Sequence, residues 1–357
     1  MQNQVDALAK HDIKIGVVGV YNISLKEALK TENINKFGFY KEECDNVTKY
    51  THLYPVLPKQ HYLNHRIKFK IWKNLFKKYI KDQGKPELVH LHTFEAGEIA
   101  IWIKEQYDIP YIVTEHTTLF FTNKALKWHL KLAAKVYKQS NLNIAVSNSS
   151  ARDLNNRFHQ EFYYFPNFVD ITKFEMLDYN SKEKKIFTNI AFLDPKKNQL
   201  MLIQAFNKAF NNDSNYKLQI IGNGKELNNL KNEIDKLSNT NIYLLGYLPQ
   251  NQIVKHLQNS DYFVLSSDYE TFGVVIIEAM SCGLPILSTA CGGPESIIEN
   301  EKVGLLSPVG NVDLFAHNLQ KLSDTEYDRK YIRYYAVNSF SFEVLSQKLL
   351  DLYERFI

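Results

Sequence analysis

Cysteine is scarce in this chain, with three residues in 357, and the placement of these three excludes two common uses of cysteine. Cys282 and Cys291 fall inside predicted helices or strands, and Cys44 lies far away in the sequence. They show neither the paired spacing of a metal site nor a disulfide framework. The pattern therefore favours the reducing cytoplasm, and we expect no bound metal.

Long apolar runs are also missing, and none approaches the ~20 residues that a membrane-spanning helix needs. The first residues, Met1–Val5, are polar, so we expect no signal peptide. Repeats and low-complexity segments are lacking as well. The remaining composition, 45% hydrophobic and 23% charged, is ordinary for globular proteins, and 357 residues suit two domains. The net charge of +4 is too small to indicate a partner.

Short apolar runs alternate with helical segments along the chain, which predicts parallel sheets with helices on both faces. Two series of strands are predicted. The first comprises Ile13–Tyr21, Leu88–His92, Tyr111–Thr114 and Leu142–Val146. The second comprises Ile186–Leu193, Lys217–Gly222, Ile242–Leu245, Tyr262–Leu265 and Ile286–Ser288.

The two series predict two domains joined by a linker that follows Phe165–Asp170 and includes the polar stretch Asp178–Lys185. We place the first domain at residues 1–175 and the second at residues 176–339. Residues 340–353 form an amphipathic pattern that predicts a helix at the end of the chain.

The loop after the predicted strand Tyr262–Leu265 carries the clearest chemical signal. Glu270 lies in this loop, an apolar helix is predicted after Gly273, and Glu278 lies within that helix. The amides of 272–274 would lie at the helix N-terminus, where unpaired N–H groups and partial positive charge bind phosphate. Two carboxylates around a phosphate site indicate a ligand with hydroxyls at both ends, such as a nucleotide-sugar.

A simpler interpretation of this loop is that Asp268 or Thr271 caps a helix and Glu278 is a solvated surface residue. The residues that follow favour the ligand site. Gly283-Leu-Pro285 predicts a turn before a short buried strand, and Gly292-Gly-Pro-Glu295 predicts another loop-to-helix junction.

These spaced motifs, in this order, resemble the donor-binding half of family-four retaining glycosyltransferases, the glycosyl transferases group 1. The resemblance runs from about Phe187 to Ser307 and more loosely over the remainder. It implies the GT-B fold of the α/β class, two doubly wound Rossmann-like domains that face a central cleft. It also implies sugar transfer from a nucleoside-diphosphate-sugar to a hydroxyl acceptor, without a metal or other cofactor. In this family the C-terminal helix returns to the first domain, so we expect residues 340–357 to complete it.

The resemblance also implies roles for single residues. Glu278 would accept hydrogen bonds from the ribose hydroxyls, Glu270 would hold hydroxyls of the donor sugar, and Lys197 would meet the donor diphosphate. Lys197 lies in the loop Leu193–Asn198, and the family commonly has an arginine five residues before this lysine. Here that position is Phe192, so one side-chain cation remains where two are usual.

Ligands of doubly wound sheets bind at the carboxyl ends of the strands. Gly222 and Gly224 end a predicted strand and would let a ligand approach the backbone, although a plain turn explains them too. Gly246-Tyr-Leu248 resembles the family's nucleobase-reading loop, with a plain strand end as the alternative. The predicted donor-binding residues are Gly222, Gly224, Tyr247, Leu248, Thr271, Phe272, Gly273, Val274 and Glu278.

Histidines follow two strands of the first domain. His116 directly follows the strand Tyr111–Thr114, and it resembles the family histidine that reaches the transferred sugar from the acceptor side. The predicted catalytic residues are therefore His116, Glu270 and Lys197. His92 would line the same cleft, and His90 would fill a core or an interface. No cysteine or carboxylate pattern supports a zinc site at these histidines.

Basic charge is concentrated in the first domain. Residues 59–85 hold eight lysines, one arginine and two histidines against one acid, with apolar residues at a helical period, and residues 124–138 repeat the pattern. Such helices bind anionic membranes, or are ordinary amphipathic helices with a solvated lysine face. No recognised motif supports a nucleic-acid partner. We expect a saccharide or lipid-linked saccharide acceptor and reversible contact with the inner membrane face, as in cell-envelope or exopolysaccharide biosynthesis.

The start of the chain departs from the family. Residues 1–10 resemble the back of a first helix and Ile13–Tyr21 a second strand, so we expect the first domain to lack the family's first strand. That strand is central in a doubly wound sheet. We therefore expect the upstream coding frame to continue through ~15–25 residues of strand, glycine loop and helix.

Three other functions remain open at this stage. A truncated or degenerate glycosyltransferase homologue would act as a non-catalytic partner subunit, consistent with Phe192 and the missing strand. A nucleotide-sugar epimerase of similar fold is the second. A retaining glycosidase also uses two acids, ~5–5.5 Å apart, but would leave the lysine loop without a role.

Overall fold

The computed structural model describes residues 2–24, 37–58, 61–121, 125–178 and 183–357, with residues 61 and 62 described by their backbone alone. The chain divides into two compact units. Unit 1 contains residues 1–144 and 346–357, and unit 2 contains residues 145–345.

Unit 1 begins with a helix and a three-stranded sheet. Its elements are α1 (Gln2–Leu8), β1 (Ile15–Ser24), β2 (Gly38–Cys44) and β3 (Val47–Val56). The strand order is β1-β3-β2, with β1 parallel and β2 antiparallel to β3. Neither β2 nor β3 is among the predicted strands. The sequence of β2 is polar and its side chains are mostly exposed, so it has no apolar run by which to recognise it.

The elements that follow in the chain form a second sheet. They are α2 (His61–Gln83), β4 (Val89–His92), α3 (Gly97–Tyr107), β5 (Tyr111–Glu115), α4 (Lys127–Gln139) and β6 (Leu142–Ala145). The sheet order is β4-β5-β6-β7, where β7 is Tyr163–Tyr164. Among the described strands β1 pairs only with β3 and β4 only with β5, so no described strand joins the two sheets.

The basic helix α2 buries its apolar face, as the helical period predicts. Tyr50 of β3 packs in one core cluster with Phe76 and Tyr79 of α2 and with Ile99 and Ile103 of α3. Lys59 and Lys124, the first residues of the two basic segments, lie outside the described residues.

The last helix of the chain, α12 (Phe342–Tyr353), ends in unit 1. His11 and Ser346 share a hydrogen bond of 2.7 Å, and Gln4 donates to the Tyr353 hydroxyl at 3.1 Å. These bonds hold the end of the chain against its beginning.

Unit 2 contains a six-stranded parallel sheet. Its strands are β8 (Lys185–Ile190), β9 (Tyr216–Ile221), β10 (Ile242–Gly246), β11 (Tyr262–Leu265), β12 (Ile286–Thr289) and β13 (Gly304–Ser307). Its helices are α5 (Asn148–Phe158), α6 (Gln199–Phe210), α7 (Leu227–Leu237), α8 (Gln250–Gln258), α9 (Val274–Ser281), α10 (Val312–Asp324) and α11 (Arg329–Phe340). Of the six strands in this sheet, β13 was not expected from the sequence.

The strand order of this sheet is β10-β9-β8-β11-β12-β13, with every neighbouring pair parallel. The order reverses between β8 and β11, and ligands of such sheets bind beyond the carboxyl ends of the strands at this switch point. Lys197 follows β8, and Glu270 follows β11. The fold therefore brings together two residues that are 73 positions apart in sequence.

The division between the units falls at residues 144 and 145, whereas the sequence interpretation places the boundary at 175 and 176. Residues 145–175 pack with unit 2. Val146, Ile171 and Phe174 lie in one buried cluster with Phe263 of β11. Residues 179–182 of the predicted linker lie outside the described residues. None of the helices in the described ranges is long and apolar enough to cross a membrane.

Candidate active site

The candidate site begins where the loops after β8 and β11 bind each other. The Asp268 amide donates to the Lys196 carbonyl at 2.8 Å, and the Ser266 hydroxyl donates to the Lys197 carbonyl at 2.9 Å. These bonds fix the backbone on both sides of Lys197. The predicted phosphate loop is therefore rigidly joined to the loop that carries Glu270.

The Lys197 ammonium donates to the Glu270 carboxylate. The two side chains are only 16% and 14% exposed, and the Ser267 hydroxyl donates to the same carboxylate oxygen at 2.9 Å. A cation that could meet a diphosphate thus lies beside a carboxylate that could accept sugar hydroxyls. Two of the three predicted catalytic residues are in direct contact.

Helix α9 begins immediately after this loop, with Gly273 as its N-cap at φ +106°. The first amides of a helix lack intrahelical partners and carry partial positive charge. The predicted group Phe272, Gly273 and Val274 therefore occupies the helix start, as the sequence indicates. Thr271 is half-buried and directly precedes it.

Glu278 lies one turn into α9, and burial raises the pKa of its carboxyl to about 7. At neutral pH the Glu278 carboxyl is therefore present in both its charged and its neutral form. A hydroxyl-rich ligand would supply the hydrogen bonds that a shielded carboxylate requires.

The loop that contains the Gly292–Glu295 motif holds the backbone of Glu270 by hydrogen bonds. The Gly293 amide donates to the Glu270 carbonyl at 2.8 Å, and the Glu270 amide donates to the Cys291 carbonyl at 3.1 Å. A Cβ atom at Gly293 would lie 2.4 Å from backbone atoms of Phe272, so only glycine fits. The Glu295 carboxylate accepts the Gly292 amide at 2.9 and 3.0 Å. The sequence motif predicted this loop-to-helix junction, but it did not predict that the junction holds Glu270 in place.

The glycines after β9 let two loops approach each other. A Cβ atom at Gly222 would lie 1.9 Å from the Ala191 carbonyl oxygen, and one at Gly224 would lie 2.2 Å from the Leu193 carbonyl oxygen. The Gly222 amide also donates to the Gly246 carbonyl at 2.8 Å. Close backbone packing is therefore sufficient to explain both glycines.

Two exposed aromatic side chains lie at the carboxyl ends of β8 and β10, the strands on either side of β9. Phe192 is 76% exposed after β8, and Tyr247 is 74% exposed after β10. Leu248, beside Tyr247, is half-buried. The position at which the family commonly has an arginine thus presents an aromatic ring to the solvent.

The third predicted catalytic residue, His116, lies in unit 1 at the end of β5. The neighbouring Glu115 is 2% exposed, and its carboxylate accepts the amides of His116 and Thr117 at 3.0 and 2.8 Å. It also accepts the Tyr137 hydroxyl at 2.6 Å and the Phe94 amide at 3.1 Å. Burial raises the pKa of Glu115, and these four donors oppose the shift. The sequence did not single out Glu115.

His92 and His116 lie side by side, with 3.2 Å between Nδ1 of His92 and Nε2 of His116. Burial lowers the pKa of His116 to about 4 and that of His92 well below its usual range. His90 is half-buried, and its ring nitrogens lie within hydrogen-bond distance of the hydroxyls of Thr114 and Tyr353. The described residues contain no group of three or more His, Cys, Asp or Glu that could hold a metal.

Two family patterns match the chain in succession. The pattern of Glycosyltransferase Family 4 matches residues 2–173, and that of Glycosyl transferases group 1 matches residues 173–339. Together they extend the resemblance from the donor half to nearly the whole chain.

Relatives and solved structures agree with these matches. An uncharacterized glycosyltransferase of Methanocaldococcus jannaschii is 29% identical over 262 residues, which are 64% of this chain and 62% of the relative. The UDP-Gal:alpha-D-GlcNAc-diphosphoundecaprenol alpha-1,3-galactosyltransferase of Escherichia coli is 27% identical over 297 residues, 75% of each chain. The Anabaena protein HepE, solved in complex with UDP, has a TM-score of 0.71 at 16% identity and covers 96% of this chain and 100% of its own. This chain belongs to the family-four, group-1 glycosyltransferases, enzymes built from two Rossmann-like α/β domains in the GT-B fold.

Proposed function

We propose that this protein transfers a hexose or related sugar, with retention of anomeric configuration, from a nucleoside-diphosphate-sugar to a hydroxyl acceptor. The observation that carries the proposal is the contact between Lys197 and Glu270 directly before the N-terminus of α9. Glu278, one turn further along α9, supplies a shielded carboxyl for the ribose hydroxyls. The names of relatives point the same way, since the E. coli enzyme uses UDP-Gal.

In this mechanism the bond between the sugar and the diphosphate breaks and its electron pair leaves on the diphosphate. The Lys197 ammonium and the first amides of α9 stabilise that developing negative charge, as oxyanion-binding donors do in other enzymes. Glu270 holds the sugar hydroxyls, and His116 of unit 1 meets the transferred sugar from the acceptor side. The acceptor hydroxyl oxygen attacks the face from which the diphosphate departs and its proton passes to the departing diphosphate, so no enzyme nucleophile is required.

A screen of nucleotide-sugars tests this function. We expect one donor to stabilise the protein against heat and to yield a product with the donor's anomeric configuration, read by NMR. Three outcomes would contradict the proposal. Sugar release from a simple glycoside without nucleotide would indicate a glycosidase, an epimer formed without acceptor would indicate an epimerase, and no stabilisation by any donor would favour a non-catalytic subunit.

For the acceptor we propose a lipid-linked saccharide at an anionic membrane surface, as in cell-envelope or exopolysaccharide assembly. The E. coli relative acts on a diphosphoundecaprenol-linked sugar, according to its name. In unit 1 the start of α4 exposes Leu126 and Trp128, which are 58% and 51% exposed. Lys127, Lys131 and Lys135 are exposed on the same helix. Exposed apolar side chains surrounded by lysines are suited to binding the headgroup region of an anionic membrane.

The two basic segments differ in this respect. The aromatic residues of α2 lie mainly in the core of unit 1, and its Lys78 ammonium lies 3.6 Å from the centre of the Phe39 ring. Helix α2 therefore follows the ordinary amphipathic interpretation. Among the described side chains of the two segments, α4 exposes two large apolar residues at its start beside its lysines, whereas α2 exposes Leu63.

Liposome flotation tests the membrane proposal. We expect binding to vesicles with anionic lipid at low salt and loss of binding at high salt, because exposed charges are screened. Replacing Trp128 and Leu126 by serine should abolish flotation, whereas Tyr334→Ser on unit 2, which removes an even more exposed aromatic side chain, should not. Absence of lipid-dependent flotation, or equal loss in the control, would reject the proposal.

A further inference from the structure

Three imidazole rings form a row in unit 1, with two on β4 and the third directly after β5. The ring centres of His90 and His92 are 4.6 Å apart with 21° between the planes, and those of His92 and His116 are 5.4 Å apart with 19°. His116 ends the row. The two rings behind it have no part in the mechanism described so far.

The first ring of the row is locked by three polar partners. The Gln4 amide nitrogen lies 3.0 Å from Nδ1 of His90, and because an amide nitrogen only donates, this Nδ1 accepts. The ring hydrogen of neutral His90 is therefore on Nε2, which donates to the Thr114 hydroxyl at 2.7 Å. The Tyr353 hydroxyl also contacts Nδ1. His90 thus has one ring orientation and one tautomer, and its face supports His92.

The second ring is joined to the third by a hydrogen bond. Nδ1 of His92 and Nε2 of His116 are 3.2 Å apart, and between two neutral rings one of these nitrogens must carry the hydrogen and the other must accept it. The hydrogen position on His116 is therefore tied to that on His92. Because neutral imidazole carries a single ring hydrogen, this bond also decides whether Nδ1 of His116 is a donor or an acceptor.

The backbone of His116 is fixed independently of its ring. The Glu115 carboxylate accepts the amides of His116 and Thr117, and the buried hydroxyl of Tyr137 holds that carboxylate in place. The main chain and the side chain of His116 are thus held by different partners. Among the described residues, His92 is the side chain that hydrogen-bonds the ring of His116 and so orients it.

We propose that His92 is a positioning residue, whose Nδ1 sets the orientation and tautomer of His116 and so decides how His116 bonds a hydroxyl of the transferred sugar. The proposal rests on the function proposed above only for the identity of that hydroxyl. A sugar hydroxyl both donates and accepts, so a ring with one defined tautomer selects one orientation of the sugar, and a ring with two tautomers does not.

Two substitutions at His92 separate the hydrogen bond from ring packing. His92→Phe keeps a flat ring against His90 but removes Nδ1. His92→Asn loses the ring but places an amide group near the position of Nδ1. If the hydrogen bond positions His116, His92→Asn should keep a single tautomer of His116 and near wild-type kcat, and His92→Phe should lose both. If ring packing positions His116, His92→Phe should keep them and His92→Asn should lose them.

The readouts are the ring ¹⁵N shifts of His116, assigned with His116→Ala, together with kcat, KM and nucleoside-diphosphate affinity. We expect His92→Phe to give mixed tautomers of His116 and a kcat roughly 2- to 10-fold lower, the effect of one hydrogen bond. Nucleoside-diphosphate affinity and thermal stability should stay near wild type, and His92→Asn should restore a single tautomer.

A single wild-type tautomer of His116 in His92→Phe would overturn the proposal, as would equal losses of kcat in both variants. The ¹⁵N measurement needs no turnover. Failure of the proposed function would instead show as absence of nucleoside-diphosphate binding in the wild-type protein, so the two failures are distinguishable.

Discussion

Glu278→Gln is expected to make the ligand-free protein more stable at pH 8 while weakening donor binding at least ~10-fold, the effect of losing a charged hydrogen bond. Burial raises the pKa of the Glu278 carboxyl to about 7 from an ordinary 4.5. A carboxyl whose pKa is raised by folding favours the folded state at low pH, and that advantage disappears as pH rises through 7. The difference of 2.5 units corresponds to roughly 3 kcal/mol.

Thermal unfolding between pH 5 and pH 8 measures this effect. The stability gained by Glu278→Gln should be small at pH 5 and should grow towards pH 8. Donor affinity of the wild-type protein should fall below pH 7, as the carboxylate is protonated, and that of the variant should not. Glu354→Gln, at an exposed site, serves as control and should show neither trend. A variant that is less stable than wild type at every pH, with unchanged donor affinity, would contradict the assignment.

Loss of Lys197 is expected to cost both activity and stability. Lys197→Met leaves the Glu270 carboxylate without its cation in a site that is only 14% exposed, which typically destabilises by ~3–5 kcal/mol. Transfer should fall by roughly 10²- to 10³-fold, the loss that follows removal of one donor to a developing anion. Replacing Glu270 by Gln in the same protein should recover part of the stability and none of the activity.

A double-mutant cycle on urea unfolding isolates the coupling between the two side chains. The exposed pair Lys208–Asp313, with 2.7 Å between its charged atoms, is the matched control and should couple by less than ~1 kcal/mol. Equal coupling in the two pairs, or transfer unaffected in Lys197→Met, would show that the buried contact has no special role.

Five of the six strands in the parallel sheet of unit 2 were predictable because they contain short apolar runs, and β11 is buried along its whole length. Phe263 and Val264 of β11, for example, are fully buried, as parallel strands under two layers of helices should be. Strand β2 in unit 1 escaped prediction because it lies at a sheet edge with exposed polar side chains. An edge strand of this kind has no periodicity to detect.

The domain boundary and the site contacts depend on long-range packing, which local sequence does not reveal. Ile171 and Phe174 lie in an apparent linker, yet they pack in the core beneath α9. The pairing of Lys197 with Glu270 follows from the reversal of strand order between β8 and β11. Family motifs identified both residues, and only the fold showed that they touch.

Calorimetric titration of nucleoside diphosphates into the wild-type protein and Lys197→Met tests the central claim most directly. UDP, GDP and ADP are the probes, since Lys197 and the α9 N-terminus would contact the diphosphate that all three share. We predict saturable binding of at least one of them to the wild-type protein, weakened at least ~10-fold in Lys197→Met. No saturable binding by any of the three, or equal affinity in both proteins, would contradict a donor site at Lys197, Glu270 and Glu278.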